Sequence, residues 1–271
     1  MVTSAYFCVV KLILFILCGL LFASCESKNS SGKKIDTKST EALLMDSVLR
    51  FPDSLIFREN LVQFYRDSGY YDKAIEATRQ GIETDSMNAR LYEMLAILHF
   101  EREDTAAAIT AFEQAVNIQP VPQYMISLGT MYAQTKDQRA VQIMDVLVRE
   151  YPKFEKEAWF VKGLYRSSTG KFREAITDFD KALQISFTFM EAYREKSIAL
   201  NALGLYNQSL EVINKAVTLQ NNYEEGHYYK GKVLEKLNRP ADAIEAYRSA
   251  LMYAPDYIEA REALNHLENK K

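Results

Sequence analysis

Two stretches of the chain decide its fold: AWFVKGLYRSSTGKFREAITDFDKALQI (158–185) and GHYYKGKVLEKLNRPADAIEAYRSALMYAP (226–255). Each has a glycine, an alanine twelve residues later, and a second alanine seven residues after that. These small residues are Gly163, Ala175 and Ala182 in the first stretch and Gly231, Ala243 and Ala250 in the second. An aromatic residue, Phe179 or Tyr247, stands between the two alanines. Small residues at these intervals let two antiparallel helices approach closely, so each stretch predicts a helix pair.

The same pattern recurs in the rest of the chain. A unit between the two stretches carries Ser197, Ser209, Ile213 and Ala216 at the same offsets. An earlier unit carries Ala96, Ala108, Phe112 and Ala115. Pro120 follows Ala115 by five residues, as Pro255 follows Ala250. Proline cannot continue a helical hydrogen-bond ladder, so it marks the end of the second helix.

This pattern resembles the tetratricopeptide repeat, a helix pair of about 34 residues. The resemblance implies an all-α fold, a right-handed superhelical α-solenoid of about six helix pairs. The predicted repeats are 55–88, 89–121, 122–155, 156–189, 190–223 and 224–257. The third is compressed, because Ala140 and Pro152 arrive one residue early. Large residues are expected to fill the space between neighbouring pairs: Trp159, Tyr132, Phe112, Phe179 and Tyr247.

Single helices are predicted to cap both ends of the array. Before the repeats, TEALLMDSVLRFPDS reads as one helix within 41–54, ended by Pro52. After them, residues 258–271 read as an amphipathic helix that covers the apolar edge of the last pair.

The first 24 residues have the pattern of a signal peptide. Lys11 precedes Leu12–Ala23, a run of twelve residues without charge. This is the length of a signal-peptide apolar region and too short to span a membrane comfortably. The run ends in FASC (22–25), which resembles the lipobox of bacterial lipoproteins, although Phe22 departs from the usual smaller aliphatic residue. The resemblance implies lipidation of Cys25 and removal of residues 1–24.

Three other interpretations of the leader stay open. Cys25 can be incidental, the leader can be cut by ordinary signal peptidase, or it can remain as a membrane anchor, because counting back through AYFCVV lengthens the apolar run. The polar segment 25–40 has few residues to bury and is predicted to be a disordered tether. We therefore expect a lipid-anchored protein of the bacterial cell envelope, in the outer membrane facing the periplasm.

Composition and motifs point away from most catalytic and nucleic-acid functions. The net charge of −3 offers no broad attraction for nucleic acid. All three cysteines lie in the first 25 residues, so the body has no thiolate metal site or disulfide. His99, His227 and His266 are scattered without ligand spacing, and no phosphate-binding loop is present. The sequence predicts a protein that is not an enzyme and has no cofactor or metal.

The resemblance also implies a binding surface on the first helices of the repeats. Family architecture places eleven residues there: Gln63, Ile97, Phe100, Thr130, Phe160, Leu164, Arg194, Ile198, Asn201, Tyr228 and Lys232. The carboxylate clamp of chaperone cofactors is not built, since Arg194 is followed one turn later by Ile198. The mixed apolar and polar set suits a helical or extended protein segment with hydrophobic anchors. Any single one of these side chains can instead pack between adjacent first helices.

The sequence thus predicts a non-enzymatic adaptor or scaffold that supports assembly or localisation of an envelope complex. In layout it resembles the lipoprotein pilotins that help secretins assemble. Two alternatives stay open: a glycan-binding envelope lipoprotein and a docking subunit of an envelope enzyme.

Overall fold

The structure, a computed structural model, describes residues 37–269. Over this range every regular element is helical, so the predicted all-α fold is confirmed. The predicted signal peptide, Cys25 and most of the predicted tether lie outside the described residues. The chain divides into two compact units, with the division after Met131.

From residue 37 onward, the first unit contains five complete helices and the start of a sixth. Their bounds are α1 Thr37–Arg50, α2 Leu55–Asp67, α3 Tyr71–Thr84, α4 Ala89–Glu101, α5 Thr105–Ile118 and α6 Pro122–Gln134. The second unit begins within α6. It continues with α7 Arg139–Glu150, a 3₁₀ turn Pro152–Phe154, α8 Glu155–Ser168, α9 Phe172–Ile185, α10 Met190–Ala202, α11 Tyr206–Leu219, α12 Glu224–Lys236, α13 Pro240–Tyr253 and α14 Ile258–Glu268.

The terminal helices differ slightly from their predicted bounds. Helix α1 ends at Arg50 and starts at Thr37, inside the segment predicted as tether. Helix α14 runs from Ile258 to Glu268, within the segment 258–271 predicted as a capping helix. Two helices account for each predicted repeat between residues 55 and 257. The repeat boundaries and the superhelical course stay predictions.

The turn inside each helix pair has one residue in the left-handed region. These residues are Gly69, Glu103, Lys136, Gly170, Gly204 and Asn238, with φ between 56° and 79°. They follow one another at 34 residues, except for one interval of 33 between Glu103 and Lys136. Glycine adopts this conformation without steric cost, whereas Glu103 and Lys136 are held there against an ordinary preference. The short interval coincides with the compression predicted for the third repeat.

Close contact between a glycine and an aromatic ring joins the two helices of a pair in the second unit. A Cβ atom on Gly163 would lie 2.5 Å from Cε1 of Phe179. A Cβ on Gly231 would lie at the same distance from Cε1 of Tyr247. Both rings are fully buried. The glycines are therefore required by packing, because any side chain would overlap the ring that fills the pair.

One core cluster of the first unit is built from α1 to α4. Its buried members are Val48, Leu61, Val62, Tyr65, Ala74, Ile75, Ala77, Leu91, Met94 and Leu98. Tyr65 also donates its hydroxyl to Glu41 Oε1 at 3.0 Å, which ties α2 to α1. Helix α1 thus contributes Val48 to a shared core and covers one edge of the α2–α3 pair.

Trp159 differs from the other four residues predicted to fill the space between pairs. Phe112, Tyr132, Phe179 and Tyr247 are buried, but Trp159 is only partly buried. Its Nε1 donates to Glu155 Oε1 at 3.0 Å. The Lys181 ammonium lies 3.7 Å from the centroid of its ring, and the Lys162 ammonium lies 4.6 Å from it. The side chain therefore sits at the surface of α8 and α9 with cations against its faces.

Between residues 37 and 269, none of the helices is both long and apolar enough to cross a membrane.

Candidate functional site

Five of the eleven predicted surface residues are buried. They are Phe100, Thr130, Phe160, Leu164 and Arg194. The ring of Phe160 packs 4.8 Å from Phe189 and 5.9 Å from Phe179, centroid to centroid. Thr130 donates its hydroxyl to the carbonyl of Ile126, one turn back in α6. These side chains serve the packing of the helices and present little surface to a ligand.

The other six keep solvent exposure, two in the first unit and four in the second. They are Gln63 and Ile97, then Ile198, Asn201, Tyr228 and Lys232. On α12 the Lys232 ammonium lies 5.5 Å from the Tyr228 ring. On α2 Gln63 donates to Asp67 Oδ1 at 2.6 Å. The accessible part of the predicted surface is therefore mainly on α10 and α12.

The first helices of the first unit carry ion pairs that the sequence pattern did not predict. Arg90 pairs with Glu59 Oε1 at 2.7 Å and with Glu93 Oε2 at 2.5 Å. Because of these two pairs, the guanidinium of Arg90 is neutralised within the protein and is not free for an acidic partner. Burial and the neighbouring Glu93 also raise the pKa of Tyr124 to about 12.

A regular sequence spacing underlies these pairs. Glu59 and Arg90 are 31 residues apart, and so are Arg194 and Glu225 in the second unit. A spacing of 31 residues equals one repeat length minus about one helical turn. It therefore places the two side chains next to each other on successive first helices. Oppositely charged residues at this interval are the signal that could have revealed the pairs.

A buried ionic cluster connects α10 and α12 in the second unit. Arg194 is fully buried, donates from Nε to Glu195 Oε1 at 3.1 Å, and forms an ion pair with Glu225. The Tyr223 hydroxyl donates to Glu225 Oε2 at 3.3 Å. Burial opposes the charged form, but the acidic neighbours raise the pKa of Arg194 well above its ordinary value. The cluster thus holds a permanent cation between two carboxylates.

At two carboxyl groups of the same unit, the effect of burial on the pKa outweighs the effect of the neighbouring arginine. It raises the pKa of Glu195 although Arg194 lies beside it. It also raises the pKa of Asp178, which is fully buried, although Arg166 forms an ion pair with it. Asp178 lies between α8 and α9, and Glu195 lies in the cluster that connects α10 with α12.

Five buried polar atoms have no hydrogen-bond partner among the described residues. They are Glu157 Oε2, Ser167 Oγ, Asp178 Oδ1, Arg194 Nη2 and Asn201 Oδ1. Four of them belong to the first helices α8 and α10. An unpaired buried polar atom costs free energy, so such atoms are commonly satisfied by water or by a ligand. The unsatisfied hydrogen-bonding capacity of the second unit is concentrated on its first helices.

Metal-binding geometry is absent from the described part of the chain. No group of three or more His, Cys, Asp or Glu side chains between residues 37 and 269 could hold a metal ion. His227 Nε2 lies 2.8 Å from the Asn221 carbonyl, and its ring stacks on Tyr253.

Comparisons with known proteins identify the repeats. Family models described as tetratricopeptide repeat match residues 60–124, 156–189 and 224–257. The chain therefore contains tetratricopeptide repeats, as the spacing of its small residues predicts.

Two curated relatives are chaperone-organising proteins. The chain is 23% identical over 247 residues to the Hsp70-Hsp90 organizing protein of Triticum aestivum, covering 85% of this chain and 40% of that protein. It is 26% identical over 101 residues to the Hsp70-Hsp90 organising protein of Plasmodium falciparum, covering 37% of this chain and 40% of that protein. The aligned parts thus span about 40% of the length of each relative.

Solved structures share the fold. A tetratricopeptide repeat protein from Parabacteroides merdae aligns with a TM-score of 0.70 at 16% identity, over 98% of this chain and 100% of that chain. PilW, described as a widely conserved type IV pilus biogenesis factor, aligns with a TM-score of 0.61 at 16% identity, over 76% and 96%. Yeast Tom70 aligns with a TM-score of 0.59 at 13% identity, over 92% and 66%. At these identities the likeness concerns the fold alone.

Proposed function

We propose that this chain is a non-catalytic adaptor of the bacterial cell envelope that binds a protein segment through the first helices of its repeats. The observation that carries the proposal is that four of the predicted surface residues keep solvent exposure on two successive first helices, α10 and α12. Tandem helix pairs supply extended surfaces of the kind that such repeats use for binding. The curated relatives organise chaperones by name, which is consistent with a binding role.

The exposed residues of α10 and α12 define the chemistry of the partner. Asn201 keeps part of its surface exposed, and its side-chain amide suits hydrogen bonding to the backbone of an extended segment. Ile198 and Tyr228 offer apolar surface, and exposed Lys232 offers a positive charge. A segment with a hydrophobic anchor, a free backbone N–H and an acidic residue satisfies all three requirements.

The binding surface is tested by crosslinking capture from intact envelopes. We expect a doubly substituted protein, Asn201→Ala with Lys232→Glu, to lose at least about tenfold of the partner that the native protein recovers, the loss expected from removing one hydrogen bond and one charge pair. The matched control is Asn207→Ala with Arg173→Glu, which makes the same chemical changes at exposed positions of the second helices α11 and α9.

The control decides how the result is interpreted. Retention of the partner by the control and its loss from the first variant supports binding through α10 and α12. Equal recovery by both variants contradicts the proposed surface. If the native protein captures no protein but retains isolated oligosaccharides, the glycan-binding alternative replaces the adaptor.

The membrane anchor is a separate part of the proposal and rests on the FASC sequence that ends at Cys25. Lipidation adds about 0.8 kcal/mol of membrane affinity per buried methylene, so the acyl groups would hold the processed protein at the membrane. We expect Cys25→Ser to carry no acyl groups and to keep residues 1–24, because lipidation precedes removal of the leader, with an unchanged helical circular dichroism spectrum. Mass spectrometry of the native N-terminus should show a lipidated Cys25. An unmodified or different N-terminus would refute the anchor.

A further inference from the structure

A cavity of about 290 Å³ in the first unit lies beside a buried arginine. Its wall is formed by the turn after α1, the start of α2, the end of α3 and the start of α4. Arg58, in the first turn of α2, lines the cavity and keeps only 5% of its surface exposed. None of the predicted binding residues contributes to this wall.

Arg58 is a buried cation without a carboxylate partner. Its Nη1 donates to the Ala77 carbonyl at 2.8 Å and its Nη2 to the Pro52 carbonyl at 3.4 Å. Both acceptors are neutral, and no acidic group in the part of the chain that the structure describes forms an ion pair with it. Burial accordingly lowers the pKa of Arg58.

The other buried arginine, Arg194, has the carboxylate partners that Arg58 lacks. Arg194 has carboxylates of Glu195 and Glu225 against its guanidinium. A buried charge is costly unless a group of opposite charge pairs with it. Arg58 still has unused N–H donors, because a guanidinium carries five and its contacts with the described residues use two of its nitrogens.

Gly81 leaves room for the Arg58 side chain beside the cavity. A Cβ on Gly81 would lie 2.4 Å from Cδ and 2.8 Å from Nε of Arg58. The arginine side chain therefore occupies the space that a larger residue at position 81 would fill. The position of the guanidinium beside the cavity is set by the packing of α2 against α3.

The rim of the cavity carries negative charge. Asp53 and Asp85 are exposed members of the wall, and Asp85 accepts from Asn88 Nδ2 at 3.1 Å. Two carboxylates at the rim repel a doubly charged phosphate more strongly than a singly charged group. The volume is at the lower limit for ligand pockets, about 300 Å³, and suits one small group.

We propose that this cavity binds a single carboxylate group, held in an ion pair by the guanidinium of Arg58. The carboxylate can belong to a small free acid or to an acidic side chain of a peptide. This site is independent of the surface on α10 and α12, and it stands whether or not that surface binds a protein.

The test is a proton–nitrogen NMR titration of the full-length protein. The probes are sodium acetate, a Gly-Asp-Gly peptide blocked at both ends, and sodium phosphate. We expect saturable shifts of the Gly81 and Thr84 amides and of Arg58 Nε–H with acetate, and weaker or no shifts with phosphate. A response to acetate alone assigns the site to free acids, and a response to both carboxylates includes acidic side chains. Either of these results supports the proposal.

Substitutions locate the binding group. Arg58→Met keeps the length and apolar stem of the side chain and should weaken acetate binding about tenfold or more, as expected for loss of a charge-assisted hydrogen bond. Arg79→Met, at an exposed position of α3, removes the same charge away from the cavity and should bind as the native protein does. Equal acetate binding by both variants overturns the proposal. So does the absence of saturable shifts in the native protein, a result that does not depend on whether Arg58→Met folds, or phosphate binding as tight as acetate binding.

Discussion

Replacing Phe179 with alanine will lower the free energy of unfolding by about 3–5 kcal/mol. The ring is fully buried, fills the α8–α9 pair against Gly163, and packs on Phe160. Its loss leaves a cavity that the two helices cannot close without shifting. Urea unfolding followed by circular dichroism measures the change. Phe187→Ala is the matched control, because that ring is 65% exposed and its removal should change stability by less than about 0.5 kcal/mol.

The glycine opposite the ring gives a second check on this packing. With Phe179 removed, the Cβ introduced by Gly163→Ala no longer overlaps a side chain and fills part of the cavity. The double variant should therefore be more stable than Phe179→Ala alone. If instead Phe179→Ala costs no more than Phe187→Ala, the ring does not hold the pair together.

Replacing Glu225 with alanine will cost a similar amount, about 3–5 kcal/mol, because it breaks a buried ion pair. Arg194 has no exposed surface and would keep only Glu195 as a counter-charge. Loss of the carboxylate also removes the acceptor of the Tyr223 hydroxyl. Urea unfolding again measures the change, and Glu211→Ala, an exposed glutamate of α11, is the control.

A triple substitution separates two contributions to the free energy of unfolding: the cost of leaving one charge unpaired and the net contribution of the whole ionic cluster. Arg194→Met, Glu195→Leu and Glu225→Leu remove all three charges and leave apolar groups of similar volume. Such replacements are often neutral or stabilising by about 1–4 kcal/mol, so the triple variant should be at least as stable as the native protein. A triple variant as unstable as Glu225→Ala would show that the cluster itself stabilises the fold.

The fold could be predicted from the sequence because its determinants are local and periodic. Gly163 and Phe179 contact each other across one turn, and their spacing recurs at Gly231 and Tyr247. The compression predicted for the third repeat rests on the early positions of Ala140 and Pro152, and the left-handed residues Glu103 and Lys136 are 33 residues apart.

The candidate site was less predictable, because exposure depends on neighbours that family positions do not specify. Phe160 is buried because Phe189 packs against it. Arg194 is buried because Glu225, 31 residues away, supplies a counter-charge on the next first helix. Arg58 is an ordinary arginine in the sequence, and its burial depends on Gly81, whose missing side chain makes room for it.

Trp159 gives the protein an optical reporter of its own. It is the single tryptophan of the 271 residues, so selectively excited emission comes entirely from the α8–α9 pair. The Lys181 ammonium, 3.7 Å from the ring centroid, and the hydrogen bond to Glu155 give the indole a polar setting. Spectral changes on unfolding or on ligand addition therefore report on one helix pair of the second unit, without any label and without a contribution from the first.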